Sequence, residues 1–228
     1  MWWFRALHGE LASRIDRAAL PARARVLDAG CGTGGFLARL GAERSDLLLE
    51  GLELDEEAAA IAARKTGLRV SVGSVARMPY PSGSFSAIVS ADVLCHGGVD
   101  ERAALAEFHR CLAAGGLLLL NLPAYEWLLS AHDERVHNVR RYGTRRAAEL
   151  VRDAGFSRVT VRHWNGLLFP LMLVHRLLLG RGDGPSDVRE FPRWQNELLF
   201  AVTRAERRLS SLGLRLPFGG SVQVEALK

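Results

Sequence analysis

Hydrophobic residues recur along this chain with two periods that alternate from segment to segment. Leu7, Leu11 and Ile15 return every four residues, which predicts a helix ahead of the first strand. After Pro21 the pattern tightens into a short apolar run, Val26 and Leu27, that ends on Asp28. A glycine cluster follows, and helical spacing resumes from Phe36 to Leu40. Residues 46–54 contain LLLEGLEL, apolar enough to be a strand buried on both faces, as parallel strands are. The alanine-rich stretch from Asp55 carries acids in its first turn and Arg64 and Lys65 in its last, the arrangement a helix dipole favours, and Gly67 stops it. A short third strand is predicted from Leu68 to Val72 and a fourth from Phe85 to Ala91. The next helix is expected from Glu101 to Leu112, with Ala114, Gly115 and Gly116 turning into a fifth strand, Leu117 to Leu122.

Past Pro123, Thr144 is placed to cap a helix from Arg145 to Ala154 that Gly155 closes. Ser157 to His163 alternates like a half-exposed strand, and Ser221 to Leu227 reads as the last one, with Val222, Val224 and Ala226 on one face. Roughly fifty residues separate these two strands, far more than a hairpin loop needs, so an insertion with its own structure is expected. Its first part, GLLFPLMLVHRLLLG, is apolar all round yet stops far short of a bilayer span at His175 and Arg176. It suits a packed lid, a subunit interface, a greasy substrate pocket or a membrane-surface contact. Its second part predicts a helix from about Trp194 to Leu212, packed through a stripe of Leu198, Val202, Ala205 and Leu209.

Composition changes this picture little. At 228 residues the chain suits one large α/β domain, or one domain with a lid. Its net charge of +5 is carried by dispersed arginines without interleaved aromatics, which argues against a nucleic-acid face. Only Arg140, Arg141, Arg145 and Arg146 are dense enough to suggest an anionic substrate. Cys31, Cys95 and Cys111 are odd in number and lack metal-ligand spacing, so neither a disulfide framework nor a metal site is expected. A reducing, cytoplasmic compartment fits, and the charged start MWWFRALHGELASRI lacks the apolar core of a signal peptide.

The candidate chemistry lies in VLDAGCGTGGF, Val26 to Phe36. Gly30, Gly32 and Gly35 satisfy the dinucleotide spacing, and Glu53 stands where that pattern wants its ribose-binding acid. Asp28 decides between ligands. A carboxylate two residues before the first glycine would repel a pyrophosphate but suits a cationic amine and sulfonium.

Asp-x-Gly-x-Gly-x-Gly after a strand resembles motif I of the class I S-adenosylmethionine-dependent methyltransferases, and the resemblance continues through Leu52 to Asp55, Val75 to His96 and Arg110 to Pro123. It implies a Rossmann-like, seven-stranded, mostly parallel sheet with helices on both faces, an antiparallel last strand and a helical insertion before it. The implied organisation is a helical lid at 1–24, a cofactor-binding core at 25–163, the insertion at 164–217 and the last strand at 218–228. The resemblance also implies S-adenosylmethionine as cofactor. Asp28, Gly30, Cys31, Gly32 and Gly34 would hold its methionine end, Glu53 its ribose beside Leu54, Ser74 and Val75 its adenine, and Ala91 and Asp92 would face it from the fourth strand. Ser74 stands where the family usually has an acid. Arg5 is expected to reach the methionine carboxylate if the first helix is a lid.

His96 and His132 are the candidates for a base, and His137, Arg140, Arg141 and Tyr142 for substrate contact. The expected reaction is methyl transfer to a small, hydrophobic metabolite or natural-product intermediate. Peripheral membrane contact and a homodimer stay open. The alternatives are a methyltransferase fold turned to another reaction, such as a cyclisation, and an NAD-dependent oxidoreductase.

Overall fold

The computed structural model describes residues 1–129, 133, 137–179 and 192–228. Seven strands make one sheet: β1 (Arg25–Ala29), β2 (Leu48–Glu53), β3 (Arg69–Val72), β4 (Phe85–Ala91), β5 (Leu112–Pro123), β6 (Ser157–Trp164) and β7 (Ser221–Leu227). Their order is β3-β2-β1-β4-β5-β7-β6. The first five strands are mutually parallel, and β7 runs antiparallel to both β5 and β6. This is the Rossmann-like methyltransferase arrangement that the resemblance implied.

The helices divide between the two faces. Helices α1 (Trp2–Arg17), α2 (Gly35–Glu43) and α3 (Glu56–Thr66) cover one face, burying Leu11, Ile15, Leu37, Leu40 and Ala62 against Val26, Val89 and Leu119. On the other face, α4 (Glu101–Cys111) and α5 (Thr144–Asp153) bury Leu105, Phe108 and Val151 against Leu27, Ile88, Leu118 and Val224. Strand residues alternate between these two cores, as period-two geometry requires.

Four local expectations are corrected. Strand β5 starts at Leu112, and the Ala114–Gly115–Gly116 turn sits inside it as an irregularity, with Gly115 at φ +71°. Thr144 is the first residue of α5, and the cap position belongs to Gly143, which has no side chain to offer. Among the described residues between β6 and β7 are α6 (Phe169–Leu179) and α7 (Arg193–Ser211), but α7 is rotated from the stripe its leucines suggest. Leu198 and Leu209 face solvent, while Thr203 and Glu206 are buried. The reason is hydrogen bonding: Glu206 accepts from Gly166 N at 2.9 Å and Leu167 N at 3.0 Å, satisfying donors at the exit of β6. The fourth concerns Arg5, whose guanidinium pairs with Glu197 and lies 4.1 Å over the Phe200 ring. It is committed to α7.

Among the described residues no helix is long and apolar enough to cross a membrane.

Candidate active site

The glycine loop follows β1 at the carboxyl edge of the sheet, where open α/β sheets collect ligands. Gly30 and Cys31 both donate to Leu52 O, at 2.7 and 3.0 Å, which ties the loop to the end of β2. Gly30 has φ +84°, and a Cβ there would lie 2.3 Å from Val93 Cγ2, so this position tolerates only glycine. Gly32 is the opposite case. It also has positive φ, +51°, but a Cβ there would project into open space, as expected of backbone that a ligand approaches closely.

Glu53 ends β2 facing this loop. Its carboxylate accepts from Gly32 N at 2.7 Å, Leu54 N at 2.8 Å and Asp55 N at 3.1 Å, so three backbone donors fix its direction. Leu54 beside it is 65% exposed. Behind the loop Asp28 is buried, 4% exposed, and burial followed by the nearby Glu53 charge pushes its pKa up to about 7. Cys31 packs as a filler, and burial pushes its thiol up to about 12, which removes thiolate chemistry. Ser74 Oγ accepts from Ala76 N at 3.2 Å, and Val75 is buried in the core beside it.

Asp92 closes β4 with φ +55°. Its N–H donates to Asn121 O at 2.8 Å, and its Oδ1 accepts from Asn121 Nδ2 at 3.0 Å. Burial raises its pKa to about 6, while the Asn121 hydrogen bond and the Arg141 charge hold it down. His96 lies four residues on, half-buried, and forms a bridge with Asn138. The mouth of the site is thus closed on one side by residues 137–142. His132 lies outside the described residues.

Helix α1 borders the loop from the other side. A Cβ on Gly35 would lie 2.7 Å from His8 Cε1, so a larger first residue of α2 would push the His8 ring of α1 aside. Burial, with Arg39 and Lys65 nearby, pushes the His8 pKa down to about 4 and keeps that contact neutral.

The arginines expected to contact substrate are spent elsewhere. Arg140 donates to Leu94 O and Val99 O at 2.8 to 3.0 Å. Arg141 is buried and bonds Asp133 Oδ1 through two nitrogens, at 2.7 and 3.1 Å, and Ala124 O at 3.0 Å. Tyr142 is fully buried, and its single hydroxyl proton is shared between Glu101 Oε2 at 2.8 Å and Leu94 O at 2.9 Å. These three side chains fasten the loop, Arg141 and Tyr142 from buried positions and Arg140 from a half-buried one. His137 is exposed at φ +58°, and its carbonyl accepts from Gly97 N at 3.0 Å. An Arg141→Met variant loses both bonds to the buried Asp133 carboxylate and the bond to Ala124 O, so it is expected to cost about 1.5–3 kcal/mol in urea unfolding. A loss below about 1 kcal/mol would show that the pair does not hold the loop.

Two features escaped sequence reasoning. Asn121 is the lone polar residue in LLLLNLP, a signal that could have been read. The other is a set of exposed apolar side chains in the segments that follow the strands at this edge, Trp127 (63% exposed), Leu129, Val139 and Leu167, which gave no such signal because they are scattered over the sequence.

A glycine cradle and two acids, Asp28 and Glu53, meet at one sheet edge, the arrangement that the resemblance to class I S-adenosylmethionine-dependent methyltransferases implied. Comparison with known proteins agrees: residues 27–120 match the family model described as a methyltransferase domain. Phosphoethanolamine N-methyltransferase 3 of Arabidopsis thaliana is 27% identical over 159 residues, 64% of this chain and 31% of the relative. The 24-methylenesterol C-methyltransferase 2 of the same plant is 30% identical over 129 residues, 54% of this chain and 34% of the relative. The chain therefore spans about a third of the length of these relatives. Among solved structures, Haemonchus contortus phosphoethanolamine N-methyltransferase 2 in complex with S-adenosyl-L-methionine superposes with a TM-score of 0.61 at 17% identity, covering 92% of this chain and 49% of the other. These likenesses are all to S-adenosylmethionine-dependent methyltransferases, whose fold this chain shares.

Proposed function

We propose that this chain methylates an acceptor with an apolar body, admitted over the rim of Trp127, Leu129, Val139 and Leu167. The observation that carries this reading is where those side chains stand. Strands β4, β5 and β6 all run toward the same sheet edge, so Val139, packed on Gly97 after β4, Trp127 and Leu129 after β5, and Leu167 after β6 share an edge with the glycine loop. Exposed apolar groups gathered around a site mouth indicate a partner that covers them. Tyr125, Phe169 and Phe218 extend the aromatic surface behind them, with Tyr125 stacked on His163 at 5.3 Å. The sterol-acting relative fits this preference.

When bound, S-adenosylmethionine supplies a methyl group already activated on its sulfonium, so alignment is the main demand on the protein. Asp28 and the glycine loop from Gly30 to Gly34 would hold the methionine end, the loop by letting the ligand approach its bare backbone, while Glu53 would orient the ribose and Ser74 and Val75 would border the adenine. Asp92 and His96 face the acceptor from the end of β4, and His96 takes up a proton where the nucleophile must lose one.

The test is turnover of methyl-labelled S-adenosylmethionine with sterol, demethylated quinol, prenyl diphosphate and phosphoethanolamine acceptors. Turnover should favour an acceptor with an apolar body, and Trp127→Ala should raise its KM on the order of tenfold with kcat unchanged. Preferred turnover of phosphoethanolamine, unaffected by Trp127→Ala, would sink the proposal.

A further inference from the structure

One row of residues across the sheet turns polar from β5 onward, where its surroundings are apolar. Ala91, Asn121, Gln223 and Arg162 are register partners on β4, β5, β7 and β6, and α1 packs over them. Asn121 and Gln223 are 0% and 1% exposed, and α1 brings two buried charged residues to meet them, Glu10 and Arg14. Burying such groups costs stability unless every one is bonded. Here they are bonded end to end. Arg14 Nη2 donates to Gln223 Oε1 at 2.6 Å, Gln223 Nε2 donates to Asn121 Oδ1 at 3.3 Å, and Asn121 Nδ2 donates to Asp92 Oδ1 at 3.0 Å. Arg14 is held in turn by Glu10 at 3.1 Å and Glu225 at 3.1 Å, and Glu10 also accepts from Arg162 at 3.0 Å.

The direction of this chain is fixed by its first member. A guanidinium can only donate, so Gln223 must turn its oxygen to Arg14 and its NH2 to Asn121. Asn121 must then turn its oxygen back and its NH2 on to Asp92. Each link strengthens the next, because donation to an amide oxygen makes that amide a better donor.

We propose that Arg14, Gln223 and Asn121 are positioning residues for the reaction: through them the N-terminal helix sets the orientation and ionised state of Asp92 from across two strands. The inference rests on the reading that Asp92 faces the cofactor and acceptor. Other groups face Asp92 as well, Arg141 from the segment before α5 and Cys95 from the turn after β4, so the test must report on Asp92 itself.

The experiment follows the Asp92 side-chain carboxyl by carbon-13 NMR in the full chain labelled at aspartate, assigned by its loss in Asp92→Asn. Gln223→Glu keeps the acceptor that Arg14 needs but removes the donor, so Asn121 must turn its carbonyl toward Asp92. The Asp92 midpoint is then expected to rise by about one pH unit or more, with S-adenosylmethionine affinity lowered on the order of tenfold at neutral pH. An unmoved midpoint, with only the melting temperature lowered, would overturn the proposal in favour of plain packing. Should Gln223→Glu not fold, the wild-type protein answers the same question. The Asn121 and Gln223 side-chain NH2 signals must shift as Asp92 titrates, and static signals overturn the proposal equally. Failure of the underlying reading looks different: S-adenosylmethionine would then leave the Asp92 signal unmoved in the wild-type protein.

Discussion

Replacing Glu53 by alanine is expected to lower the affinity for S-adenosylmethionine by about two orders of magnitude. Charge-assisted hydrogen bonds contribute about 1.5–3 kcal/mol each, and two ribose hydroxyls lose their acceptor together, which sums to a factor on the order of 100 or more. The loss reaches beyond the ribose. Glu53 also accepts from Gly32 N, so the glycine loop loses the bond that holds its outer amide. Glu53→Gln keeps a neutral acceptor and should fall between the two, on the order of tenfold weaker than wild type. Isothermal titration calorimetry at fixed pH reads both variants. An alanine variant within threefold of wild type would remove Glu53 from the cofactor site.

Asp28→Asn is expected to make the ligand-free protein more stable and the cofactor complex weaker, two effects of opposite sign from one substitution. Burial raises this carboxyl from its ordinary 3.8 to about 7. Its contribution to folding is therefore fully present below pH about 4 and is lost as pH climbs through about 7. Above that pH, ionised Asp28 costs the free protein roughly 4 kcal/mol, three pKa units at about 1.4 kcal/mol each. An asparagine avoids that cost, so the variant's melting temperature should exceed the wild type's at pH 8, with the difference vanishing toward pH 4. Binding follows the reverse logic. A cationic methionine end stabilises the ionised form, so wild-type affinity should rise as pH increases through about 7, and the asparagine variant should lack that step. Thermal melts at pH 4 and 8, with calorimetric affinities from pH 6 to 8.5, decide it. Wild-type affinity that is flat with pH, or an asparagine variant that binds as tightly at pH 8, would refute the role given to Asp28.

The two predictions share a physical origin in the glycine loop. A strand that ends in a tight turn leaves little room for side chains, which is why Gly30 sits against Val93 and why Asp28 is sealed behind it. That enclosure makes the acid responsive to a cation. The same carboxylate fully exposed to water would be ionised at neutral pH with or without ligand and would couple weakly to it.

The chain's local chemistry carries much of this protein. Period-two and period-3.6 patterns set the seven strands and the helices between them, because burying one face of each element depends on neighbours a few residues away. The turn after β1 and the places of Asp28 and Glu53 at its two sides follow from the same cause: backbone sterics at Gly30 and the strand-to-loop register are short-range. Only the tertiary structure decided the rest. Arg140, Arg141 and Tyr142 look like a substrate clamp as a string of letters, and become scaffold once Leu94, Val99, Glu101 and Asp133 are brought beside them. Helix α7 turned away from its leucine stripe because donors near Gly166, forty residues earlier, claimed Glu206. Asn121 meets Gln223, and Gln223 meets Arg14, through pairings 102 and 209 residues apart. Local sequence specifies a residue's backbone and its hydrophobic side, but the partner of a buried polar group is set by strand register and helix docking, which exist only when the whole chain is folded.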